Sequence, residues 1–191
     1  MLPIFPIISS GERKQTSLQI DGDIILGGLF PVHRRSNNTE NACGKIDIHP
    51  GYQYLASMLF ALEEINDDPS LLPGIKLGVK IYDTCRSQTI GSDVAKKIIE
   101  YTLWERNGTS PLPGVIGPFR SDVSVAVANF LRVFDIPQIS YGSTTPVLSD
   151  KDLYGYFLRT VPSNAYQSKA MVDVVRYFGW SYVMTVYSPG Q

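Results

Sequence analysis

The stretch Ile24-Ile25-Leu26-Gly27-Gly28-Leu29-Phe30, closed in by Asp23 and Pro31, is an unbroken apolar run with no polar alternation. A strand with one wet face alternates apolar and polar side chains, whereas a strand covered on both faces does not. The run therefore reads as a strand buried on both sides, the pattern of a parallel sheet with helices above and below it.

The neighbouring segments fit that reading. From Tyr52 to Asn66 the apolar positions Tyr52, Leu55, Ala56, Met58, Leu59, Leu62 and Ile65 recur at steps of three and four, which predicts an amphipathic helix ended by Asp67-Asp68-Pro69. Further strands are expected at Leu77 to Tyr82, Val115 to Gly117, Pro137 to Tyr141, Phe157 to Val161 and Ser181 to Tyr187. Helical spacing marks Ser92 to Leu103, Ser121 to Phe134 and Tyr166 to Phe178. Ser9 to Thr16, the segment carrying Arg34 and Arg35, and the Gly- and Pro-bearing Glu105 to Pro113 read as polar connections. Strand alternating with helix predicts an α/β fold with a doubly wound, mostly parallel sheet and right-handed crossovers. Ser188 to Gln191 resembles a loop after a strand, at the point where another helix would begin.

Bulk properties narrow the function. The 191 residues suffice for one good-sized domain, or for one lobe of a two-lobed module and part of the second. A net charge of −1 leaves no surplus of cations for nucleic acid or an anionic membrane surface. No apolar run approaches the roughly 20 residues needed to cross a bilayer. The apolar start, Met1 to Ile8, is short, is broken by Pro3 and Pro6 and has no preceding basic residue, so residues 1–20 are expected to be an extension or a weak signal segment. Asn37-Asn38-Thr39 and Asn107-Gly108-Thr109 fit the N-glycosylation acceptor, with Asn37 and Asn107 as the modified residues, and favour an extracellular setting. Cys43 and Cys85 are either two buried thiols or one disulfide closing a long loop.

Enzyme chemistry finds no constellation. His33 and His49 are the only histidines, both in loops near proline, and neither belongs to a nucleophile motif. No phosphate loop, dinucleotide fingerprint or zinc spacing is present, so no catalytic residue, metal or cofactor is expected. Two loops at the carboxyl ends of strands are instead rich in hydroxyls. In Gly117-Pro118-Phe119-Arg120-Ser121-Asp122, Ser121 is placed to cap the next helix, and a helix N-terminus suits a carboxylate. In Tyr141-Gly142-Ser143-Thr144-Thr145, Gly142 permits close approach and the hydroxyls can meet a small polar ligand. Each loop by itself reads first as a simple cap or turn.

In series, these words resemble one family. Asp23 to His33 resembles the opening strand of metabotropic glutamate receptor ectodomains, and Met58-Leu59-Phe60-Ala61-Leu62-Glu63-Glu64-Ile65-Asn66 with Leu71-Leu72-Pro73 and Leu77-Gly78 is similar to their first helix and next strand. Tyr82-Asp83-Thr84-Cys85, Ile136 to Tyr141, Leu148-Ser149-Asp150-Lys151 and Thr160-Val161-Pro162-Ser163 continue the likeness in order. The resemblance implies a class C G-protein-coupled receptor fragment. Residues 21–162 would be lobe 1 of a periplasmic-binding-protein-like Venus flytrap and 163–191 the start of lobe 2. It implies an α-amino acid ligand, a homodimer, a G protein reached through a membrane region absent from this chain, and a place on the extracellular side of the plasma membrane. It also implies that Cys43 and Cys85 are bonded to each other. By motif position, Ser121 and Thr144 would hold the ligand's α-carboxylate and α-amino groups, with Gly142 and Ser143 alongside. Phe130, Val133 and Phe134 fall on the family's dimer surface, although core packing explains them as well.

Three positions depart from the family pattern. Tyr54 stands where glutamate-binding members carry an arginine for the ligand's distal carboxylate, and tyrosine brings no charge to that pair. Asn164 replaces an acid common after the Val-Pro segment, and Glu105 to Pro113 lacks the cysteine that often ties two protomers. The expected ligand is therefore an α-amino acid other than glutamate, or glutamate held weakly. The competing expectation is a truncated, non-sensing fragment that acts through dimerisation.

Overall fold

The computed structural model describes residues 17–36, 43–104 and 112–186. Asn37, Asn107 and the apolar start of the chain lie outside the described residues.

Among the described residues, eight strands and four α-helices follow in chain order: β1 (Ser17–Ile20), β2 (Ile24–Phe30), β3 (His33–Arg35), β4 (Cys43–Ile46), α1 (Gln53–Asp67), β5 (Leu77–Asp83), α2 (Gln88–Trp104), β6 (Val115–Ile116), α3 (Ser121–Leu131), β7 (Gln138–Ser140), β8 (Phe157–Arg159) and α4 (Asn164–Tyr177). Six strands form one sheet in the order β1-β5-β2-β6-β7-β8, parallel throughout except for β1, which runs antiparallel along the β5 edge. The other two, β3 and β4, pair antiparallel as a separate ribbon.

Burial accounts for this arrangement. β2 is flanked on both sides within the sheet and covered on both faces. Phe30 packs with Leu55, Met58 and Leu62 of α1 and with Val79 and Ile81 of β5. Leu29, one residue earlier and so on the opposite face, packs with Val94 and Ile98 of α2 and Val123 and Val127 of α3. The chain thus leaves β2 over one face to reach β5, then returns over the other face to β6. That reversal makes β2 the topological switch point, and ligands of such sheets sit beyond the carboxyl ends of the strands there.

Cys43 and Cys85 form a disulfide, which ties the β3–β4 ribbon to the end of β5. Asp47, almost fully buried just after β4, receives Arg34 Nε at 3.3 Å and Arg86 Nη2. His33 Nδ1 bonds the Asp83 carboxylate, which also accepts the N–H of Cys85 at 2.8 Å. The ribbon is therefore fixed to the main sheet by a covalent bond and two ionic clusters.

Several boundaries differ from the sequence reading. The sheet begins at Ser17, inside the segment expected to be an extension, because Leu18 and Ile20 alternate with polar neighbours and pair with β5. The ribbon at His33–Arg35 forms where a loop was expected; its polar side chains give no strand signal, and its partner strand, β4, is fastened by the disulfide. The helix expected from Ser121 to Phe134 ends at Leu131 and tightens into a 3₁₀ turn over Arg132–Phe134, stopped at Asp135 with φ +55°. The strand expected over Ser181 to Tyr187 is absent from residues 181–186, which are exposed and have no neighbouring strand to complete a ladder. α4 likewise forms but buries none of its residues.

Candidate functional site

The carboxyl ends of β6 and β7 meet at one carbonyl. Pro118 O accepts Ser124 Oγ at 3.0 Å and Ser140 Oγ at 2.7 Å, and Ser143 Oγ bonds Ser124 Oγ at 2.6 Å. Ser124, Ser140 and Ser143 are all fully buried. Ser140 Oγ in turn accepts the N–H of Ser143 at 3.0 Å. Gly117, with φ +103° and Leu29 O only 2.3 Å from where a Cβ would stand, lets the chain after β6 pass close over β2.

This network decides which hydroxyls face outward. Ser143, expected beside the ligand, spends its hydroxyl inside the loop and works as support. Ser121 was expected to cap α3, yet the cap position is Arg120 and makes no side-chain cap bond. Ser121 Oγ instead accepts the backbone N–H of Thr144 at 3.1 Å and of Thr145 at 3.3 Å. The two loops singled out separately in the sequence are thus a single structure.

Thr144 is held on every side. Its carbonyl accepts the N–H of Asn164 at 2.8 Å, and the carbonyls of its neighbours, Ser143 and Thr145, receive Arg159 Nη1 at 3.3 and 2.9 Å. A lone arginine at a strand end has no motif, so nothing in the sequence marks Arg159; its Nη1 between two carbonyls and its Nη2 on Ser149 Oγ come together only in the fold. With its backbone fixed, half-buried Thr144 sits beside the first turn of α3, whose leading N–H groups have no intrahelical acceptor. Partly exposed hydroxyls beside such donors suit a small zwitterion's carboxylate. Asp122 keeps to Arg120 at 2.9 Å and to the N–H of Val123 at 3.0 Å, so both charges of that pair are satisfied locally.

The remaining expected positions fall around this centre. Tyr54, in the first turn of α1, stacks on Phe119 with ring centroids 5.2 Å apart. Gly142 lies under the Phe119 ring. Asn164 opens α4 and is exposed. Burial lifts the Tyr141 hydroxyl well above the usual tyrosine range, so it stays protonated and donates to Leu29 O at 3.0 Å. His33, Asp83 and Cys85 come within 4.8 Å of one another, but the Cys85 sulfur is consumed by the disulfide, which leaves two donors and no metal cluster among them.

Residues 53–191 match the family model described as the receptor family ligand binding region. The chain belongs to that family. Among curated relatives, this receptor ligand-binding region is 47% identical over 195 residues to metabotropic glutamate receptor 4 of Macaca fascicularis and 46% identical over 195 residues to metabotropic glutamate receptor 4 of Rattus norvegicus. It is 44% identical over 188 residues to metabotropic glutamate receptor 8 of Homo sapiens. Those alignments cover 94%, 94% and 91% of the chain and 21% of each relative, so the chain spans about a fifth of their length. The family is one of receptors, and its fold is the Venus flytrap lobe that the sheet order displays. No helix among the described residues is long and apolar enough to cross a membrane.

Proposed function

We propose that this chain forms the first wall of an extracellular amino-acid-sensing cleft in a G-protein-coupled receptor related to the metabotropic glutamate receptors. The observation that carries the reading is the junction of Ser121 and Thr144 at the start of α3. It sets two hydroxyls and a helix N-terminus at the switch-point edge of the sheet, where a carboxylate and an ammonium group can both be met. Residues up to Pro162 make lobe 1, and α4 opens lobe 2, whose sheet would cover the helix's exposed Tyr166 and Met171.

A homodimer is part of the proposal. Phe130, Val133 and Phe134 are 42%, 70% and 44% exposed at the end of α3, which favours an interface over the core for them. The same exposure also supports a second reading, a non-sensing fragment that works by dimerising.

The test is a thermal-shift panel of free amino acids on the two-lobed ectodomain that contains this chain. Binding to the native state at a hundredfold excess over Kd stabilises it by about 2.7 kcal/mol. A shift with at least one amino acid supports the sensing cleft. A flat panel with a dimer in solution supports the second reading instead.

A further inference from the structure

Four aromatic rings from four parts of the chain gather at the same edge of the sheet. Tyr54 stacks on Phe119 and tilts against Tyr141, with centroids 5.2 and 4.9 Å away. Phe119 and Tyr141 are 6.1 Å apart, and Tyr141 lies on Phe30 at 5.5 Å. The cluster is fixed from behind, because the Tyr141 hydroxyl is bonded to Leu29 O and the Phe119 ring rests on Gly142. Tyr54 and Phe119 remain only half-buried. Phe119 stands two residues before Ser121, and Tyr141 three before Thr144, so the aromatic wall begins where the hydroxyl pair ends.

The surrounding charges are engaged elsewhere. Arg120 is held by Asp122, Arg34 and Arg86 converge on Asp47, and Arg159 is spent on the carbonyls beside Thr144. An acidic ligand side chain laid along this wall would lose water and meet ring faces, which carry the negative end of the aromatic quadrupole. An apolar ring would gain stacking area on Tyr54 and Phe119 instead.

We propose that the cleft takes an α-amino acid with an aromatic side chain, its backbone groups at Ser121 and Thr144 and its ring against Tyr54 and Phe119. This rests on the amino-acid-sensing reading. The test measures thermal shifts of the two-lobed ectodomain with L-phenylalanine, L-leucine, L-glutamate and glycine, followed by titration of those that shift it. The expected ranking puts phenylalanine first and glutamate last. Tyr54→Leu should weaken phenylalanine binding roughly 3- to 10-fold, the scale of one aromatic pair, and weaken glycine binding by clearly less. Tyr54→Arg should lower phenylalanine affinity and raise glutamate affinity. Glutamate or glycine binding the unaltered protein as tightly as phenylalanine overturns the aromatic assignment and leaves the sensing role standing. No shift with any of the four overturns the aromatic assignment, and no shift across the whole amino-acid panel overturns the sensing role as well. If Tyr54→Leu fails to fold, Tyr54→Phe, which keeps the stack, should retain phenylalanine binding, and the ranking on the unaltered protein decides the matter in any case.

Discussion

Ser121 Oγ accepts the backbone N–H of Thr144 at 3.1 Å across 23 positions of sequence, and so joins the loop before α3 to the loop after β7. A serine hydroxyl has two acceptor sites and one proton. The N–H groups of Thr144 and Thr145 use the acceptor sites, and on the proposed sensing role the proton would serve a ligand oxygen.

Ser121→Ala should therefore do two separable things. Leaving two partly buried N–H groups without an acceptor should destabilise the fold by about 1–3 kcal/mol. Losing the hydroxyl donor should also weaken amino-acid binding about tenfold beyond any loss of fold. Melting with and without ligand separates the two effects. Ser121→Thr, which keeps the hydroxyl, should behave much closer to the unaltered protein.

Arg159 offers a second test of the same junction. Its Nη1 bridges the carbonyls of Ser143 and Thr145 while its Nη2 bonds the Ser149 hydroxyl, a two-nitrogen contact that an ammonium cannot copy from one point. Arg159→Lys should destabilise the protein by about 1.5–3 kcal/mol, the range for hydrogen bonds to a charged group. Chemical denaturation reads this directly, and an unchanged midpoint would show that Arg159 is not needed to hold the Thr144 loop.

The carboxyl-edge geometry also makes a prediction at Gly142. A Cβ added there would lie 2.2 Å from Phe119 Cδ2 and 3.0 Å from Phe119 O. The Phe119 ring is pinned by Tyr54 and Tyr141, so it cannot swing away freely. Gly142→Ala should cost about 1–3 kcal/mol by overpacking. Adding Phe119→Leu should recover part of that loss, which a double-mutant cycle of melting midpoints would reveal as a coupling between the two sites.

How much of this was legible beforehand depended on the range of the interaction. β2 was readable from seven residues because burial on both faces removes all polar alternation. α1, α2, α3 and α4 were readable because their apolar spacing is local, and only their ends moved. The β3–β4 ribbon was not, since nothing in His33-Arg34-Arg35 favours a strand until the disulfide and Asp83 bring it to β5. At the site, the hydroxyl-rich loops could be named from composition, but Ser121 as acceptor for the other loop, Ser143 turned inward and Arg159 as brace all depend on contacts between distant segments. The strand missing from residues 181–186 makes the same point from the other side, for the β-branched and aromatic residues there cannot form a ladder alone.

The His33–Asp83 contact predicts how stability responds to pH. The bond to the Asp83 carboxylate, opposed by partial burial, raises the His33 pKa above its ordinary 6.5. A pKa higher in the folded state than in the unfolded chain means that folding favours the protonated ring. The contribution is therefore complete below about pH 6.5 and disappears as pH rises through the folded value. His33→Gln removes the titrating group and keeps a polar side chain there. The stability gap between the unaltered protein and His33→Gln should be widest below about pH 6.5 and should shrink steadily as pH rises above it. Denaturation midpoints of both proteins across that range give the answer, and a gap that stays constant with pH would mean that His33 contributes through its neutral form only.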